Sequence, residues 1–303
     1  ELSALHAPPP EPRSGGVSGS ASGGVALQLS GGSSEELGIF DPAKNLLRPT
    51  SPLAMLIFGK TNTGKTVAIR HLLNEVNPIR LFDHCVLVYG KPGGLSPANA
   101  IKYDFIPPDN ILIIDDLGLD EVELRLKKLG EHLNQDAMQV ARRPKRTIII
   151  YDDCTKLIRK GKLDMEEFFT AGRHINCDIV LLYHLVNFVS GDAGPVIRAN
   201  ASHLLFMQAG EGELKKLGGE LYGLSKGDTK QIFGTLRAKK GTHTGVFWSV
   251  DKQEASCFKA DLPGAAGVIG WPIPWDAVMG GGGGGGEDGG GGDGGGGGDD
   301  APN

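Results

Sequence analysis

Residues 59–66 have the types and spacing of a phosphate-binding loop. Gly59 and Gly64 allow backbone conformations and a close phosphate approach that a Cβ would hinder. Lys65 is predicted to reach the β and γ phosphates of a nucleoside triphosphate, and the Thr66 hydroxyl to bind Mg²⁺. Successive backbone N–H groups of the loop, then of the helix that follows it, would face the anion. The residues predicted to hold the nucleotide are Gly59, Lys60, Thr61, Asn62, Thr63, Gly64, Lys65 and Thr66.

Two acidic pairs could complete such a site. Nucleotide hydrolysis needs a carboxylate next to Mg²⁺, and usually a second carboxylate that polarises the attacking water. Asp152-Asp153 and Asp115-Asp116 each follow an apolar run that reads as a strand, and either pair could supply both groups. We favour Asp152 as the Mg²⁺ ligand and Asp153 as the general base. The other pair then has a structural explanation, because aspartate is favourable where a strand leads into a helix N-terminus.

Two arginines are candidates for a catalytic cation. Phosphoryl transfer is accelerated by a positive charge on the γ-phosphate, often supplied by a neighbouring subunit. Arg173 precedes the apolar run Asp178–Tyr183, and Arg198 precedes Leu204–Met207. Each of them could equally be a solvated surface arginine.

Three basic clusters could contact nucleic acid. DNA binding needs such charges on one surface that faces the phosphates. Solvated helix ends explain each cluster equally well. The clusters are Arg142-Arg143-Pro144-Lys145-Arg146, residues 156–162 with Lys156, Arg159, Lys160 and Lys162, and Arg237-Ala238-Lys239-Lys240.

Short apolar runs alternate with amphipathic segments along the middle of the chain. Runs that end at glycine or polar residues read as strands buried on both faces. They are Leu53–Phe58, Cys85–Tyr89, Ile111–Ile114, Thr147–Tyr151, Asp178–Tyr183 and Leu204–Met207, with a hairpin from Gly245–Val250 and Cys257–Ala260. Helices are predicted at Val67–Val76, Leu119–Val140, Leu163–Ala171 and Thr229–Lys240. The alternation predicts an α/β fold with a mainly parallel sheet and helices on both faces.

The two ends of the chain differ from this middle in composition. Residues 1–36 are rich in Pro, Gly and Ser, and residues 280–303 form an acidic tail that is nearly all Gly and Asp. Neither can bury enough apolar surface to offset its ordering entropy, so both are predicted to be disordered around one domain at residues 37–279. The chain has a net charge of −5, but its tail carries Glu287, Asp288, Asp293, Asp299 and Asp300 and no base. Residues 1–50 carry a further net charge of −2, so residues 51–279 have a net charge of +2, which permits nucleic-acid contact.

Cysteine use and hydropathy place the chain in a soluble, reducing setting. Cys85, Cys154, Cys177 and Cys257 show neither zinc-ligand nor redox spacing. No stretch is long and apolar enough to span a bilayer, so we expect no stable membrane insertion.

The motifs in this order resemble the FtsK–HerA superfamily, and more closely the poxvirus-type virion DNA-packaging ATPases of nucleocytoplasmic large DNA viruses. The resemblance covers about Leu53 to Ala260. It rests on the Gly59–Thr66 loop, the Asp152-Asp153 pair, Gly172-Arg173-His174 and Ile197-Arg198-Ala199-Asn200. This order makes Thr147–Asp153 the Walker B strand.

The resemblance implies a RecA/FtsK-like P-loop NTPase that uses ATP and Mg²⁺. Members of the family build rings, usually hexamers, in which an arginine acts on the neighbour's ATP and the central channel drives double-stranded DNA. The implied function is packaging of a viral genome into a capsid, with capsid or portal proteins as further partners. The implied location is the host-cell interior, in the viral factory, and the virion.

One residue departs from the family pattern. Where the family usually has a glutamine that senses the γ-phosphate, at the end of the Ile179–Tyr183 run, this sequence has His184. Because histidine can donate a hydrogen bond, sensing can survive the change.

Three other functions agree with the same residues to different degrees. A cellular translocase of the superfamily would share the motor chemistry. A small-molecule kinase would need a lid with arginines, and no such segment is evident. A scaffold that binds nucleotide without turnover would not need Lys65, Thr66, Asp152 and Asp153 together.

Overall fold

Apolar runs that end at glycine or polar residues form a single sheet in the computed structural model. The structure describes residue 37 and residues 52–76, 81–138, 145–163, 165–184, 194–216, 223–260 and 267–280. The strands are β1 (Ala54–Phe58), β2 (His84–Tyr89), β3 (Ile111–Ile113), β4 (Thr147–Asp152), β5 (Cys177–Tyr183), β6 (His203–Phe206), β7 (Thr244–Ser249) and β8 (Glu254–Lys259).

The order of the 8 strands across the sheet is β3-β2-β4-β5-β1-β6-β7-β8. The pairings from β3 to β6 are all parallel, whereas β7 runs antiparallel to β6 and β8 antiparallel to β7. The predicted mainly parallel sheet and its terminal hairpin are confirmed. Because β1 lies between β5 and β6, the loop that follows β1 leaves the sheet near its middle.

Helices connect most of these strands. They are α1 (Lys65–Val76), α2 (Pro97–Ala100), α3 (Ile114–Leu117), α4 (Leu119–Ala137), α5 (Thr155–Arg159), α6 (Glu166–Ala171), α7 (Gly194–Asn200), α8 (Glu211–Leu214), α9 (Lys226–Ala238) and α10 (Trp275–Val278). Two 3₁₀ turns, Ile101–Tyr103 and Pro108–Asn110, follow α2.

The four predicted helices are present and differ from the prediction mainly at their ends, whereas the short helices α2, α3, α5, α7, α8 and α10 were not predicted. Helix α9 begins earlier than Thr229 because Ser225 caps it: its hydroxyl accepts from the Asp228 N–H, and the Asp228 carboxylate accepts from the Ser225 N–H. Helix α6 begins only at Glu166, after a buried Leu163. Helix α7 was not predicted, since a short segment that opens with Gly-Pro reads as a turn.

Alternating side chains of the central strands enter two apolar layers. On β1, Met55 and Ile57 pack with the apolar face of α1, while Leu56 and Phe58 pack with residues of α4, α6, α7 and α9. Both faces of the sheet are thus covered by helices, as predicted, and the strands are buried on both sides.

Several predictions concern parts of the chain outside the described residues. These are the disordered segment 1–36, the tail beyond Gly280, and Arg142 and Arg143. The four cysteines are free thiols, and Cys85, Cys154 and Cys177 are buried. Within the described ranges, no helix is both long enough and apolar enough to cross a membrane.

Candidate active site

The carboxyl ends of three parallel strands bring most of the predicted site residues together. The 59–66 loop follows β1, Asp153 follows β4, and His184 follows β5. Because β5 lies between β1 and β4, His184 stands between the loop and the acidic pair. This edge of the sheet, called the carboxyl edge below, opens into a cleft of about 310 Å³.

The loop after β1 depends on its glycines. The Gly59 N–H donates to the Tyr183 carbonyl at 3.1 Å, which ties the start of the loop to the end of β5. A Cβ at Gly59 would overlap the Thr63 hydroxyl. Gly64 has a φ of +93°, and a Cβ there would also lie 2.8 Å from the His243 ring. Larger residues at these two positions would therefore deform the loop.

Lys65 is the first residue of α1 and lies almost buried under the loop. Its ammonium donates to the carbonyl oxygens of Gly59 and Lys60, each at 3.0 Å. Burial lowers the pKa of Lys65, and the carboxylates of Asp152 and Asp153 oppose that shift. Lys65 is thus a cation held within the loop that would cradle phosphates.

His184 connects the loop to the acidic pair. Its Nδ1 lies 3.2 Å from Lys65 Nζ, and its Nε2 lies 2.6 Å from Asp153 Oδ1. Since an ammonium only donates, Nδ1 accepts, and the proton on Nε2 is donated to Asp153. The neutral Nε2–H tautomer satisfies both contacts. The side chain predicted to sense a γ-phosphate therefore also orients a carboxylate.

Asp152 is buried at the end of β4, where it accepts a hydrogen bond from Tyr103. The Tyr103 hydroxyl donates to Asp152 Oδ2, and the Thr66 hydroxyl is its other hydrogen-bond partner. Burial raises the pKa of Asp152, while the hydrogen bond from Tyr103 opposes that shift. Burial and the Asp152 charge in turn raise the pKa of Tyr103 far above its usual range.

Asp153 differs from its neighbour in exposure and in the direction in which its pKa is shifted. It has a φ of +56°, and its N–H donates to Asp152 Oδ1 at 2.8 Å, which ties the turn after β4 to the Asp152 carboxylate. The hydrogen bond from His184 lowers the pKa of Asp153 against the effect of burial. Burial and the Asp153 charge raise the pKa of Tyr89 to about 12, and Tyr89 hydrogen-bonds to Asp153.

The cleft contains oxygen groups that could hold Mg²⁺. Thr66 and Asp152 share the Tyr103 hydroxyl as a partner, so their oxygens lie close together. Ligand atoms of Asp152, Asp153 and His184 also lie within 4.8 Å of one another. Hydroxyl and carboxylate oxygens are the donors that Mg²⁺ prefers, so Thr66 and Asp152 fit the ion better than His184 does.

The cleft contains residues that the sequence analysis missed. They are Tyr89, Lys91, Asn99, Lys102, Tyr103 and His243. Tyr89 and Lys91 stand at the end of β2, a position equivalent to that of Asp152 on β4, and a search of all strand ends for polar residues would have found them. Asn99, Lys102 and Tyr103 come from the segment between β2 and β3, which carries no motif.

The rival acidic pair lies outside the cleft. Asp115 and Asp116 are in α3, which follows the edge strand β3, and three strands separate β3 from β1. The Asp115 carboxylate accepts from the Gly93 N–H at 3.1 Å. Asp115 therefore holds the loop that follows β2, whereas Asp152 and Asp153 face Lys65.

The predicted arginines lie at the opposite, amino edge of the sheet. Arg173 is exposed just before β5, and its guanidinium contacts His174. Arg198 belongs to α7, which precedes β6, and its side chain is outside the described residues. The parallel course of β1, β5 and β6 separates this edge from the loop at Gly59. The geometry thus keeps Arg173 out of the cleft of its own chain, and the α7 segment that carries Arg198 precedes β6 at the same edge.

Arg146, a member of the first predicted basic cluster, is buried in the core. Arg146 is 4% exposed and paired with Asp178, so it cannot face DNA. Among the described members of the other clusters, Lys156, Lys160, Lys162, Arg237, Lys239 and Lys240 are exposed.

Comparison with known sequences gives two matches to viral proteins. The family model described as Poxvirus A32 protein matches residues 42–218. A protein of Invertebrate iridescent virus 6, designated uncharacterized protein 075L, is 25% identical over 188 residues, which cover 59% of this chain and 64% of that protein. The chain thus matches just under two thirds of that relative's length.

Solved structures that match the chain include a viral NTPase and a bacterial secretion ATPase. The genome packaging NTPase B204 from Sulfolobus turreted icosahedral virus 2, in complex with sulfate, matches with a TM-score of 0.47 and 14% identity over 72% of this chain and 100% of that one. The cytoplasmic domain of the Thermomonospora curvata Type VII secretion ATPase EccC matches with a TM-score of 0.44 and 14% identity over 75% of this chain and 27% of that one.

Proposed function

Since the chain belongs to the family described as Poxvirus A32 protein, we propose that it is an ATPase that translocates double-stranded DNA to package a viral genome. The observation that supports this proposal most directly is the cleft itself. It places Lys65 of the phosphate loop opposite Asp152 and Asp153, with His184 bonded to both Lys65 and Asp153.

The geometry suits hydrolysis of a nucleoside triphosphate. The loop from Gly59 and the N-terminus of α1 would hold the phosphates through backbone N–H groups. Lys65 would exchange its two carbonyl partners for β and γ phosphate oxygens. Mg²⁺ held by Thr66 and Asp152 would neutralise charge on those phosphates. Asp153, whose low pKa keeps it ionised, would accept the proton of the attacking water.

His184 would serve this reaction in two ways. Its Nε2–H holds Asp153 in one orientation, and its Nδ1 stands beside Lys65, where the γ-phosphate would arrive. A γ-phosphate that draws Lys65 away from His184 would remove the hydrogen-bond donor from Nδ1. We therefore retain His184 as the proposed sensor in place of the family's glutamine.

The positions of the predicted arginines support a ring of subunits. Arg173 and Arg198 precede β5 and β6 at the edge away from the cleft. Either could reach a γ-phosphate only in a neighbouring subunit, which agrees with a homo-oligomeric, hexameric ring. Exposed lysines and arginines such as Lys160 and Arg237 are available to contact DNA phosphates. Capsid or portal proteins in the viral factory would be its further partners.

The central experiment measures ATP hydrolysis by the purified chain with and without duplex DNA. We expect Mg²⁺-dependent hydrolysis that rises when duplex DNA is added. Lys65→Ala should reduce turnover by about 10²–10³-fold, because it removes a cation from the transition state. Intact nucleotide binding without any hydrolysis in the wild type would instead indicate a scaffold.

A mixing experiment tests the ring. Increasing amounts of Arg173→Ala subunits are added to wild type at constant total protein, and the same series is run with Arg198→Ala. If an arginine acts in trans, its variant should lower activity more steeply than its fraction of subunits. A strictly linear loss with both variants would contradict the shared site.

A further inference from the structure

Lys91 supplies a second lysine to the cleft, from a strand that carries none of the predicted motifs. It follows the last residues of β2 and lines the cleft with Lys65 and Asp153. Its side chain is exposed, and within the described part of the chain it makes no hydrogen bond or ion pair. A lysine that makes neither contact, in a cleft that would hold phosphates, is available to an anionic ligand.

The backbone of Lys91 is fixed to the acidic turn by Gly90. The Gly90 N–H donates to the Asp152 carbonyl at 3.0 Å. A Cβ at Gly90 would lie 3.0 Å from Cys154 Cα and 3.1 Å from the Asp153 carbonyl oxygen. The absence of a side chain therefore lets the end of β2 lie directly against the turn that carries Asp153.

The other side of this loop is held by the acidic pair that lies outside the cleft. Asp115 accepts from the Gly93 N–H, and the Gly94 N–H donates to the Lys91 carbonyl at 3.2 Å. Gly93 and Gly94 both have positive φ, which closes a tight turn. Lys91 thus stands on a short loop attached to β4 at one end and to α3 at the other.

The remaining cations of the cleft already have partners. Lys65 donates to two loop carbonyls, and Lys102 donates to Asn99 at 2.8 Å. Lys91 is close enough to Asp153 for its charge to contribute to the lowered pKa of that carboxyl. Lys91 and Asp153 line the same cleft, in which Asp153 would position the attacking water.

We propose that Lys91 contacts the γ-phosphate of the nucleotide bound in its own subunit, as a cis-acting catalytic residue. The proposal rests on the proposed function. In the step concerned, water attacks the γ-phosphorus, the bond from that phosphorus to the bridging oxygen breaks, ADP leaves, and Asp153 accepts the water proton. Lys91 stabilises the negative charge on the γ-phosphoryl oxygens during this step and is itself unchanged.

Binding of two nucleotides by Lys91→Ala gives the first test. ADP lacks the γ-phosphate, so its affinity should stay within about two-fold of wild type, while a non-hydrolysable ATP analogue should bind about 10- to 100-fold more weakly, as expected for the loss of a charged hydrogen bond. Lys91→Arg should recover part of the analogue's affinity. Lys127→Ala, on the exposed surface of α4, is the matched control and should bind both nucleotides as wild type does.

Hydrolysis by the same variants gives the second test. Lys91→Ala should lower kcat by about 10- to 100-fold, because the charge it would stabilise grows in the transition state. Mixing it with Lys65→Ala subunits should restore nothing, since both residues would belong to one site. Mixing Arg173→Ala with Lys65→Ala subunits should restore some activity, because an intact loop would then meet an intact arginine of its neighbour.

The outcomes separate this inference from the proposed function. Equal weakening of ADP and of the ATP analogue would show that Lys91 only shapes the loop and would overturn the inference. Unchanged kcat in Lys91→Ala would overturn it as well. A wild-type protein that binds both nucleotides but hydrolyses none would sink the proposed function, while the ADP-against-analogue comparison would still decide the contact.

Discussion

Each edge of the sheet has a basic side chain near aspartate carboxylates, but the two groups differ in whether a ligand can reach them. At the amino edge, Arg146 donates through Nε to Asp178 Oδ2 at 2.7 Å and through Nη2 to Oδ1 at 2.8 Å. Asp178 Oδ1 also accepts from the Leu53 N–H at 2.7 Å. The two side chains are 4% and 0% exposed, so this pair is closed to solvent and to any ligand.

At the carboxyl edge, the lysine ammonium and the two carboxylates are not hydrogen-bonded to one another. Lys65 donates to loop carbonyls and contacts His184, and the structure shows no direct hydrogen bond from it to Asp152 or Asp153. The space between them opens into the cleft. Residue type alone therefore does not separate a structural pair from a functional group. What separates them is whether each partner is fully bonded and whether a ligand can reach it.

Among the predicted variants, Asp153→Asn at the carboxyl edge should produce the largest effect, a loss of activity. It keeps the shape of the turn and the contact with His184 but removes the group that would accept the water proton. We expect kcat to fall by about 10²–10⁴-fold, the usual range for a general base. The measurement is steady-state hydrolysis with saturating ATP and Mg²⁺.

Asp115→Asn is the matched control for that prediction. It makes the same chemical change in the acidic pair that lies outside the cleft, and its amide oxygen can still accept from Gly93. Activity should stay within a few-fold of wild type. If Asp115→Asn abolished hydrolysis while Asp153→Asn preserved it, the roles assigned to the two pairs would be wrong.

Arg146→Ala should reveal the opposite pattern, a loss of stability. It leaves the Asp178 carboxylate buried without its cation, which costs about 3–5 kcal/mol in the free energy of unfolding. Denaturant unfolding followed by circular dichroism measures that loss. Hydrolysis per folded molecule should be retained, because the amino edge contributes nothing to the cleft of its own chain.

A double variant tests whether the charge of Arg146 or its packing supplies this stability. Arg146→Met with Asp178→Asn removes the charge pair while leaving an acceptor for the Leu53 N–H. Much of the lost stability should return, since the desolvated charge is gone. A double variant as unstable as Arg146→Ala would mean that packing of the arginine over the Phe82 ring, rather than its charge, supplies the stability.

The positions of the strands along the chain could be predicted from the sequence, because each strand carries a local signal. Runs such as Thr147–Tyr151 are apolar throughout and end at a polar residue, and the sheet confirms them within about two residues. The resemblance to packaging ATPases is confirmed by the family match over residues 42–218. The motif at Gly59–Thr66 is contiguous, so its position after β1 could be predicted as well.

The contacts inside the cleft could not be predicted from the sequence, because they join segments that are far apart in the chain. Nothing near Tyr103 indicates that its hydroxyl meets Asp152, and nothing near His184 indicates a bond to Asp153. Arg146 was assigned to a basic surface because its neighbours are charged, yet Asp178 draws it into the core. Such pairings depend on strand order, which periodicity does not reveal.

Tyr103→Phe should give the smallest effect, and it tests how the carboxyl edge keeps Asp152 ready for a metal ion. The Tyr103 hydroxyl donates to the carboxylate, which favours the ionised form and opposes the rise in the pKa of Asp152 caused by burial. Removing the hydroxyl should therefore raise the pKa of Asp152 further, as measured by ¹³C NMR of the aspartate carboxyls in the nucleotide-free protein. Hydrolysis should fall by about 3- to 10-fold near neutral pH, consistent with one lost hydrogen bond to a charged group. The deficit should grow as the pH falls, because a protonated carboxyl is a poor Mg²⁺ ligand. Identical pH profiles for Tyr103→Phe and wild type would show that the tyrosine only fills space beside Asp152.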